Sequence, residues 1–424
     1  MQDTACRAEP GPIRDNLARF LLTAFVPYAL GYFLSYLYRG VNAVIGEDLQ
    51  ASTGIDALEL SIVTSAYLIT FAAMQLPIGI LLDRFGPRRV GAFLLVVASA
   101  GAAIFALAEG VVGLTVGRGL IGIGVSACLV AGMKNNADWW PPRQIPLANG
   151  LIMAAGGLGV LTSTTPVRAA VDLIGWREAF LVLAAVTFAA ALYLYFLAPD
   201  AARDDGRQLT WRQQLRGMAH VASHPLFWRV APATVVVQSS FIAYQSLWAG
   251  QWLADIGGHG LMAVTVVLQM LAVSMIVGSV VMGGLAVSFA RWGIRPITVA
   301  AALNGAYLAV FALIAARTGM PETPLWMAVG FLGAATILPY AVLAQAFPPH
   351  LAGRVSALLN VLCFVGAFAV QNGIGFLVDA MAEGGTVPVS AHRIAMAAIL
   401  AVGVVAQLWW FRPLRPQPAG PSDH

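Results

Sequence analysis

The sequence has little charge, few cysteines and a single lysine. Only 10% of its 424 residues are charged, whereas soluble domains average about a quarter, which argues against a soluble enzyme. Three cysteines, Cys6, Cys128 and Cys363, form an odd set without metal-ligand spacing, and two lie in hydrophobic segments. We therefore expect no disulfide framework, no metal site and no cofactor.

Apolar residues make up 59% of the chain, and its mean hydropathy is +0.78. One membrane-spanning helix takes roughly 20 apolar residues, so twelve need about 240. Backbone groups in lipid must bond internally, so runs of this length predict helices and an all-α membrane protein. The first segment exceeds a signal-peptide core and lacks its cleavage pattern. The predicted segments are 20–45, 57–82, 90–108, 111–133, 147–171, 179–198, 227–254, 262–289, 297–316, 324–346, 355–381 and 391–411.

Hydrophilic stretches divide the chain into a tail (1–19), a bundle of six helices (20–198), a central loop (199–226), a second bundle of six helices (227–412) and a tail (413–424). If the N-terminus is cytoplasmic, 18 of the 24 basic residues lie on the inner side, four lie outside and two fall within spans. Basic residues concentrate in cytoplasmic loops, so we expect both termini to be cytoplasmic. We expect the membrane to be the inner, or plasma, membrane of the cell.

The two halves repeat each other weakly. The stretch Arg84–Arg88 after segment 2 matches Arg291–Arg295 after segment 8, at an offset of 207 residues. Trp140–Pro142 matches Phe347–Pro349 at the same offset. Two matches at one offset predict pseudo-symmetric bundles, an arrangement that in known transporters places a solute site between the halves.

The loop after segment 2 reads Gly79-Ile-Leu-Leu-Asp-Arg-Phe-Gly-Pro-Arg-Arg89. With the layout of twelve segments, it resembles the signature of the major facilitator superfamily. The resemblance implies a carrier fold of twelve helices in two bundles, with this loop as a cytoplasmic latch. Positive-inside charge alone would explain the arginines, but not Asp83 or the glycine spacing. The candidate gating residues are Gly79, Asp83, Arg84, Gly86, Arg88, Arg89, Lys134, Arg291 and Arg295.

The repeated copy of the loop has Ala290 in place of the acid, so its latch should be weaker. Lys134, the single lysine, closes segment 4 near Asp138. One interpretation of Lys134 is a boundary anchor. The other is pairing at the inner gate, with Asp138 or with a facing acid.

Gly117-Arg118-Gly119-Leu120-Ile121-Gly122 fits the G-x-G-x-x-G pattern of dinucleotide sites. However, it lies inside a hydrophobic segment, follows no strand and lacks the later acid that such sites use. The glycines instead predict close helix packing. Arg118 resembles the arginine of the superfamily's transport signature, and we include it among the candidate substrate-binding residues.

Arg39 interrupts the first segment and is the leading candidate for binding substrate. Helical spacing places Tyr32, Tyr36, Arg39 and Asn42 on one face. An arginine in a span is costly and usually faces water and a partner. The alternative is an arginine that reaches the outer interface near Glu47. The pattern resembles the organic-anion-handling branches of the superfamily, and a single arginine favours a monocarboxylate over a phosphate dianion.

Polar residues of the second half complete the candidate site. Amides and indoles can bond a small polar solute, although they also join helices to each other. The remaining candidates are Gln238, Tyr244, Gln245 and Trp248 in segment 7 and Asn360 in segment 11.

The central third of each predicted span contains no histidine and no clear acid. Coupling through a deep carboxylate is therefore unsupported, and proton symport stays open. We predict a secondary transporter, monomeric and without nucleic-acid partners, that moves a small organic anion across the bilayer by alternating access. The rivals are an efflux pump for drugs or hydrophobic metabolites and a membrane sensor or assembly component that transports nothing.

Overall fold

The computed structural model describes residues 17–141, 145–200, 211–291, 295–317, 319–334, 337–348, 351–381 and 389–412. These ranges are almost entirely helical and contain no strand, which confirms the all-α prediction. In chain order the helices are α1 (Leu17–Gly40), α2 (Asn42–Thr53), α3 (Ala57–Phe85), α4 (Pro87–Leu107), α5 (Val111–Val125), α6 (Cys128–Trp139), α7 (Ile145–Thr162), α8 (Thr165–Ile174), α9 (Trp176–Leu197), α10 (Trp211–Ala222), α11 (Pro225–Asp255), α12 (Leu261–Arg291), α13 (Pro296–Ala316), α14 (Glu322–Ala334), α15 (Ile337–Ala346), α16 (Ala352–Met381) and α17 (Val389–Trp410).

Within the described residues, eleven helical stretches are long and apolar enough to cross a membrane. A twelfth results if the bent pair Ala148–Thr162 and Thr165–Ile174, which meet at 43°, forms one span. Large apolar side chains such as Phe93, Leu107 and Val405 are more than half exposed. Lipid is the solvent that such surfaces fit.

Several predicted segments are interrupted where the chain locally favours other bonds. Pro166 lacks an N–H and its ring would clash with the preceding turn, so α7 and α8 separate at Ser163–Thr164. Both residues bond their hydroxyls to carbonyls three residues earlier, and Ser126 does the same between α5 and α6. Such side-chain bonds compete with helical backbone bonds. A wider π turn, Tyr244–Trp248, interrupts α11.

Helix ends follow the sequence closely at two places. Asp56 and Glu59 form a capping box before α3, since each carboxylate accepts a bond from the other residue's backbone N–H, at 2.7 and 3.1 Å. Between α3 and α4, Gly86 has φ +81, a left-handed conformation that favours glycine, and Pro87 then starts α4.

The central loop contains a helix that the apolar runs do not predict. α10 lies within the predicted hydrophilic stretch, and its Met218 and Val221 are buried. Its apolar positions recur at helical spacing, but they are too few to form a run of span length. A search for long apolar runs therefore passes over it.

The chain forms two units, Met1–Ile55 with Ala66–Gln208, and Asp56–Ser65 with Leu209–His424. Helix α3 contributes to both. The division falls inside the predicted central loop, and the bounds predicted for the bundles stay predictions.

In the first unit, α4 packs on α5 and α9, and α1 packs on α7. Glycines allow these close approaches. A Cβ added at Gly117 would lie 2.7 Å from the Phe105 backbone nitrogen, and one at Gly122 or Gly124 would overlap backbone atoms of α3 or α4. The packing interpretation of the G-x-G-x-x-G run is thus confirmed at these positions, although Gly119 has more room.

In the second unit, a hydrophobic core joins α11, α13, α15, α16 and α17. Phe227, Leu343 and Leu359 are fully buried there, and Trp410 is 2% exposed. Arg229 donates to the carbonyl of Trp410 at 2.8 Å, which fixes the start of α11 against the end of α17.

Candidate functional site

Arg39 lies among aromatic rings near the end of α1. Its side chain is largely buried, with the residue 8% exposed. The guanidinium carbon lies 4.4 Å from the centre of the Tyr36 ring and 5.3 Å from that of Phe71, and Tyr67 also contacts the group. Such cation–π contacts stabilise a guanidinium away from water. The cluster formed by Arg39, Tyr36, Tyr67 and Phe71 is called the Arg39 cluster below.

Glycines of α7 hold the tyrosines of this face in place. Tyr32 and Tyr36 meet edge to face, with ring centres 5.0 Å apart. A Cβ at Gly156 would lie 2.5 Å from the Tyr32 ring, and one at Gly159 would overlap the carbonyl of Phe33. A larger residue at either position would push α1 away, so α7 sets the position of the tyrosine face.

The chain bends just after Arg39. A Cβ at Gly40 would overlap the Ser163 hydroxyl, so the break between α1 and α2 lies directly against the break between α7 and α8. Asn42, a predicted substrate residue, is the first residue of α2 and is fully buried.

Arg118 occupies a different environment from Arg39. The residue is 1% exposed, and its guanidinium lies between the rings of Tyr67 and Phe105. One nitrogen donates to the carbonyl of Tyr38 at 2.9 Å. Arg118 therefore bonds to the backbone immediately before Arg39, and this geometry suits a positioning residue better than a direct contact to solute.

An ion-pair cluster that the sequence analysis does not predict joins α2 to α8. Arg168, with a side chain 5% exposed, pairs with Asp48 and with Asp172, each at 2.5 Å. The sequence places Arg168, Asp48 and Asp172 at predicted helix ends, where each indicates only the topology of the chain and not a contact between them. The spacing of Arg168 and Asp172, four residues apart on one helix, is the signal that could have found the pair.

Three of the four predicted residues of segment 7 lie in the π turn of α11 and are buried: Tyr244, Gln245 and Trp248. The Gln245 amide donates to the Met275 sulfur at 3.0 Å, and the Trp248 indole donates to the Gln371 carbonyl at 3.1 Å. Tyr244 packs edge to face on Phe311, with ring centres 4.9 Å apart. Both interpretations of these residues stay open, because helix-joining bonds and solute contacts use the same groups.

Two further predicted residues lie outside this group. Gln238, earlier on α11, is half-buried. Asn360 on α16 accepts a bond from the Tyr340 hydroxyl at 3.3 Å. Gln371, a weaker candidate from the sequence on the same helix as Asn360, is fully buried and accepts a bond from the Ser246 hydroxyl at 3.0 Å.

The loop signature binds the end of α9. Arg88 donates to Asp200 at 2.8 Å and to the Ala198 carbonyl at 3.2 Å, and Arg89 lies 3.3 Å from the same carboxylate. Asp200 is a partner that sequence analysis does not identify. Gly79 lies within α3, and Arg84 is exposed with its guanidinium 5.2 Å from the Phe85 ring.

Lys134 donates to the Leu82 carbonyl at 3.2 Å, close to the end of α3. This places the lysine beside the loop signature and on a helix end, where a cation is favoured. Arg295 is exposed and immediately precedes α13. The side chains of Asp83 and Arg291 lie outside the described residues, so their predicted gating roles stay predictions.

The fold is that of a helical membrane carrier. A solved structure described as a bacterial homolog of the human lysosomal transporter Spinster, in an inward-facing and unoccupied conformation, is similar, with a TM-score of 0.71. The two chains are 18% identical, and the match covers 92% of this chain and 95% of that one. The chain also matches the Major Facilitator Superfamily over residues 28–371 and belongs to that family.

The curated relatives of this chain are described as transporters. Among relatives, a probable sulfoacetate transporter, SauU, of Cupriavidus necator is 29% identical over 191 residues, which cover 45% of this chain and 44% of SauU. A hexuronate transporter of Escherichia coli K12 is 23% identical over 289 residues, which cover 65% of this chain and 66% of the relative. The matched part thus spans about half to two thirds of these relatives' length.

Proposed function

We propose that this chain is a carrier for a small organic anion and that Arg39 binds the anion's carboxylate. The observation on which the proposal rests is the Arg39 cluster, a buried guanidinium surrounded by aromatic rings in a membrane span. Burying such a charge is expensive, so membrane proteins keep it mainly where it has a function. A guanidinium fork also matches a carboxylate with two parallel hydrogen bonds.

The proposal assigns the single guanidinium of the Arg39 cluster to the solute, which suits a monoanion better than a dianion. Tyr36 and Asn42 would orient the solute, and the further candidates for polar contact to it stay Gln238, Gln245, Trp248 and Asn360. The two named relatives are described as a probable sulfoacetate transporter and a hexuronate transporter, and both compounds are organic anions, which supports an organic anion as the solute.

The location of the carrier, its coupling ion and its closure also belong to this proposal. The carrier would work as a monomer in the plasma membrane, with both termini in the cytoplasm and with protons as the candidate coupling ion. The loop signature and Lys134 would control closure at the cytoplasmic side.

The first test is a thermal-shift screen of the purified protein. Ligands that bind the native state raise its apparent stability. The monocarboxylates D-glucuronate and D-galacturonate should raise the melting temperature, whereas a lipophilic cation such as tetraphenylphosphonium should not. Stabilisation by the cation alone would favour an efflux pump. Stabilisation by an anion without any flux in proteoliposomes would favour a membrane sensor.

The second test uses substitutions of Arg39 with the anion that stabilises the protein. Arg39→Gln removes the charge and should lower uptake at low solute concentration by roughly a hundredfold, since loss of one partner of a buried charge pair costs about 3 kcal/mol. Arg39→Lys keeps the charge but loses the fork. Partial uptake by the lysine variant indicates attraction by charge, and complete loss indicates a bidentate contact.

Arg177→Lys is the matched control, because Arg177 also lies over an aromatic ring, at 4.3 Å from Trp176, but bonds to the carbonyls of Ala106 and Ala108. The Arg177→Lys variant should take up the anion at the native rate. Normal uptake by Arg39→Gln would remove Arg39 from the proposed site.

A further inference from the structure

A buried histidine and an aspartate lie together in the second unit. His392, near the start of α17, has a fully buried side chain, and its Nε2 lies 3.2 Å from Asp255 Oδ2 at the end of α11. The Asp255 side chain is 26% exposed and thus reaches solvent. A second pair in this unit, His259 and Glu322, has the same chemistry but an imidazole that is 37% exposed.

The contact with Asp255 fixes how the ring can take up a proton. A neutral imidazole whose Nε2 faces a carboxylate holds its proton on that nitrogen, so Nδ1 is the basic site. Nδ1 of His392 is buried and has no hydrogen-bond partner in the described part of the chain. A proton on Nδ1 would create a buried N–H without an acceptor, which is unfavourable. Protonation of Nδ1 would therefore require an acceptor that the described groups around the ring do not supply.

The His392 ring contacts Trp248, a candidate substrate residue that is hydrogen-bonded to Gln371. Trp248 packs edge to face on His392, with ring centres 5.8 Å apart, and donates to the Gln371 carbonyl. The Gln371 side chain accepts a bond from Ser246, next to Gln245 in the π turn. The Gln371 amide nitrogen is buried and has no partner among the described residues. A rearrangement at His392 would therefore act directly on Trp248 and on the groups bonded to it.

The other charged groups near this ring are oriented toward solvent or bonded elsewhere. α17 packs on α11, α13 and α16. Among the described residues, Asp255 is the carboxylate within ion-pair distance of His392. In the described part of these four helices and their ends, the remaining titratable or charged groups are the exposed Arg393, Arg317 and Asp379, the buried Tyr244, Tyr307 and Cys363, and, near the opposite helix ends, His224, Arg229, Arg295, Arg354 and Arg412.

We propose that His392 is the residue that binds the coupling proton of transport, and that Asp255 stabilises the resulting charge. One proton from water on one side of the membrane adds to Nδ1 and gives an imidazolium beside the Asp255 carboxylate. The same proton leaves to water on the other side, and no bond to the solute forms or breaks. The proposal rests on the proposed transport function, but its first test needs no solute.

The first test is a titration of the protein with ¹⁵N-labelled histidine and tryptophan in lipid nanodiscs. His392→Asn assigns the His392 signals by their loss, and Trp248→Phe assigns the Trp248 indole. Between about pH 5 and 8.5, Nδ1 of His392 should become protonated and the Trp248 indole signal should shift with it. A His392 ring that stays neutral over this range, or a Trp248 signal that does not follow it, overturns the proposal.

The second test separates coupling from binding in proteoliposomes, with radiolabelled D-glucuronate as the probe. His392→Asn should reduce accumulation driven by a proton gradient far more strongly than it reduces solute counterflow. Asp255→Asn, which leaves the ring in place, should reduce the same accumulation. His259→Asn, the exposed matched control, should keep both activities.

Gradient-driven accumulation by His392→Asn at the native level overturns the proposal. If the His392→Asn variant does not fold, gradient-driven accumulation by Asp255→Asn at the native level overturns the proposal. Failure of the native protein to catalyse counterflow of any anion from the thermal-shift panel contradicts the proposed function instead. The nanodisc titration still decides whether His392 binds a proton.

Discussion

At the scale of single residues, Arg39 and Arg118 show what a sequence can and cannot predict. Both are recognisable as charges inside apolar segments. Their different surroundings cannot be recognised from the sequence, because Tyr67 and Phe71 lie on another helix and Arg118 bonds to a backbone carbonyl. A carbonyl has no sequence signal, so only the fold distinguishes a candidate solute-binding arginine from one that positions the backbone.

Substitution of Arg118 tests this distinction. In Arg118→Gln the shorter side chain should leave the Tyr38 carbonyl buried without its donor, which costs about 1–3 kcal/mol. We expect a lower apparent melting temperature in detergent together with reduced uptake. If the melting temperature is unchanged and only the apparent affinity for solute falls, Arg118 contacts the solute, as the sequence analysis predicts.

His392 escapes sequence analysis for a related reason. A search for titratable groups in the central third of each span passes over His392, which lies near a predicted helix end. Its burial depends on Trp248 and Asp255, which are far away in the chain. Distance from the middle of a span is therefore a poor guide to whether a titratable group is exposed.

At the scale of helices, the apolar runs predict where the spans lie, and the glycines predict where helices come close. The interruptions are harder to predict. Pro166 is visible in segment 5, but the bend also depends on hydroxyl bonds of Ser163 and Thr164 to the backbone. α10 gives too weak a signal, because two buried apolar residues, Met218 and Val221, do not form a run.

Two glycines of α5 provide a matched test of helix packing. A Cβ at Gly124 would overlap the backbone nitrogen of Ala98 on α4, whereas one at Gly119 would lie 3.4 Å from the methyl group of Thr70. Gly124→Ala should lower stability by about 1–3 kcal/mol, since overpacking forces the helices apart. Gly119→Ala should change it far less. Equal melting temperatures for the two variants would contradict the close approach of α4 and α5.

At the scale of the whole molecule, the repeat at 207 residues and the loop signature are sufficient to indicate the family from sequence. The partner of the loop cannot be predicted in this way, because Asp200 follows α9, more than a hundred residues later in the chain. The second copy of the loop lacks the acid, and its residues 292–294 lie outside the described part, so its latch role stays a prediction.

Removal of the Asp200 carboxylate tests the latch. Asp200→Asn breaks the ion pairs with Arg88 and Arg89, whose side chains are 23% and 47% exposed, so stability should change little. We expect faster alkylation of a reporter cysteine at the cytoplasmic side, because the loop loses its attachment to α9. Arg88→Gln should act similarly, and the double variant should add little to either change.

Arg84→Gln is the control for the latch, since Arg84 is exposed and contacts the adjacent Phe85 ring. It should leave the alkylation rate at the native value. An unchanged rate in Asp200→Asn would exclude the Arg88–Asp200 contact from cytoplasmic closure.

The π turn of α11 marks the place where this helix can change its length. A π turn accommodates an additional residue in an otherwise α-helical stretch. Deletion of one residue between Tyr244 and Trp248 would restore regular winding and leave the flanking turns in nearly the same orientation, so Asp255 would still face His392. Deletion of a residue in a regular turn of α11 would instead rotate everything beyond it by about 100° and shift it by about 1.5 Å. Evolution can therefore add or remove a residue at this turn far more freely than elsewhere along the helix.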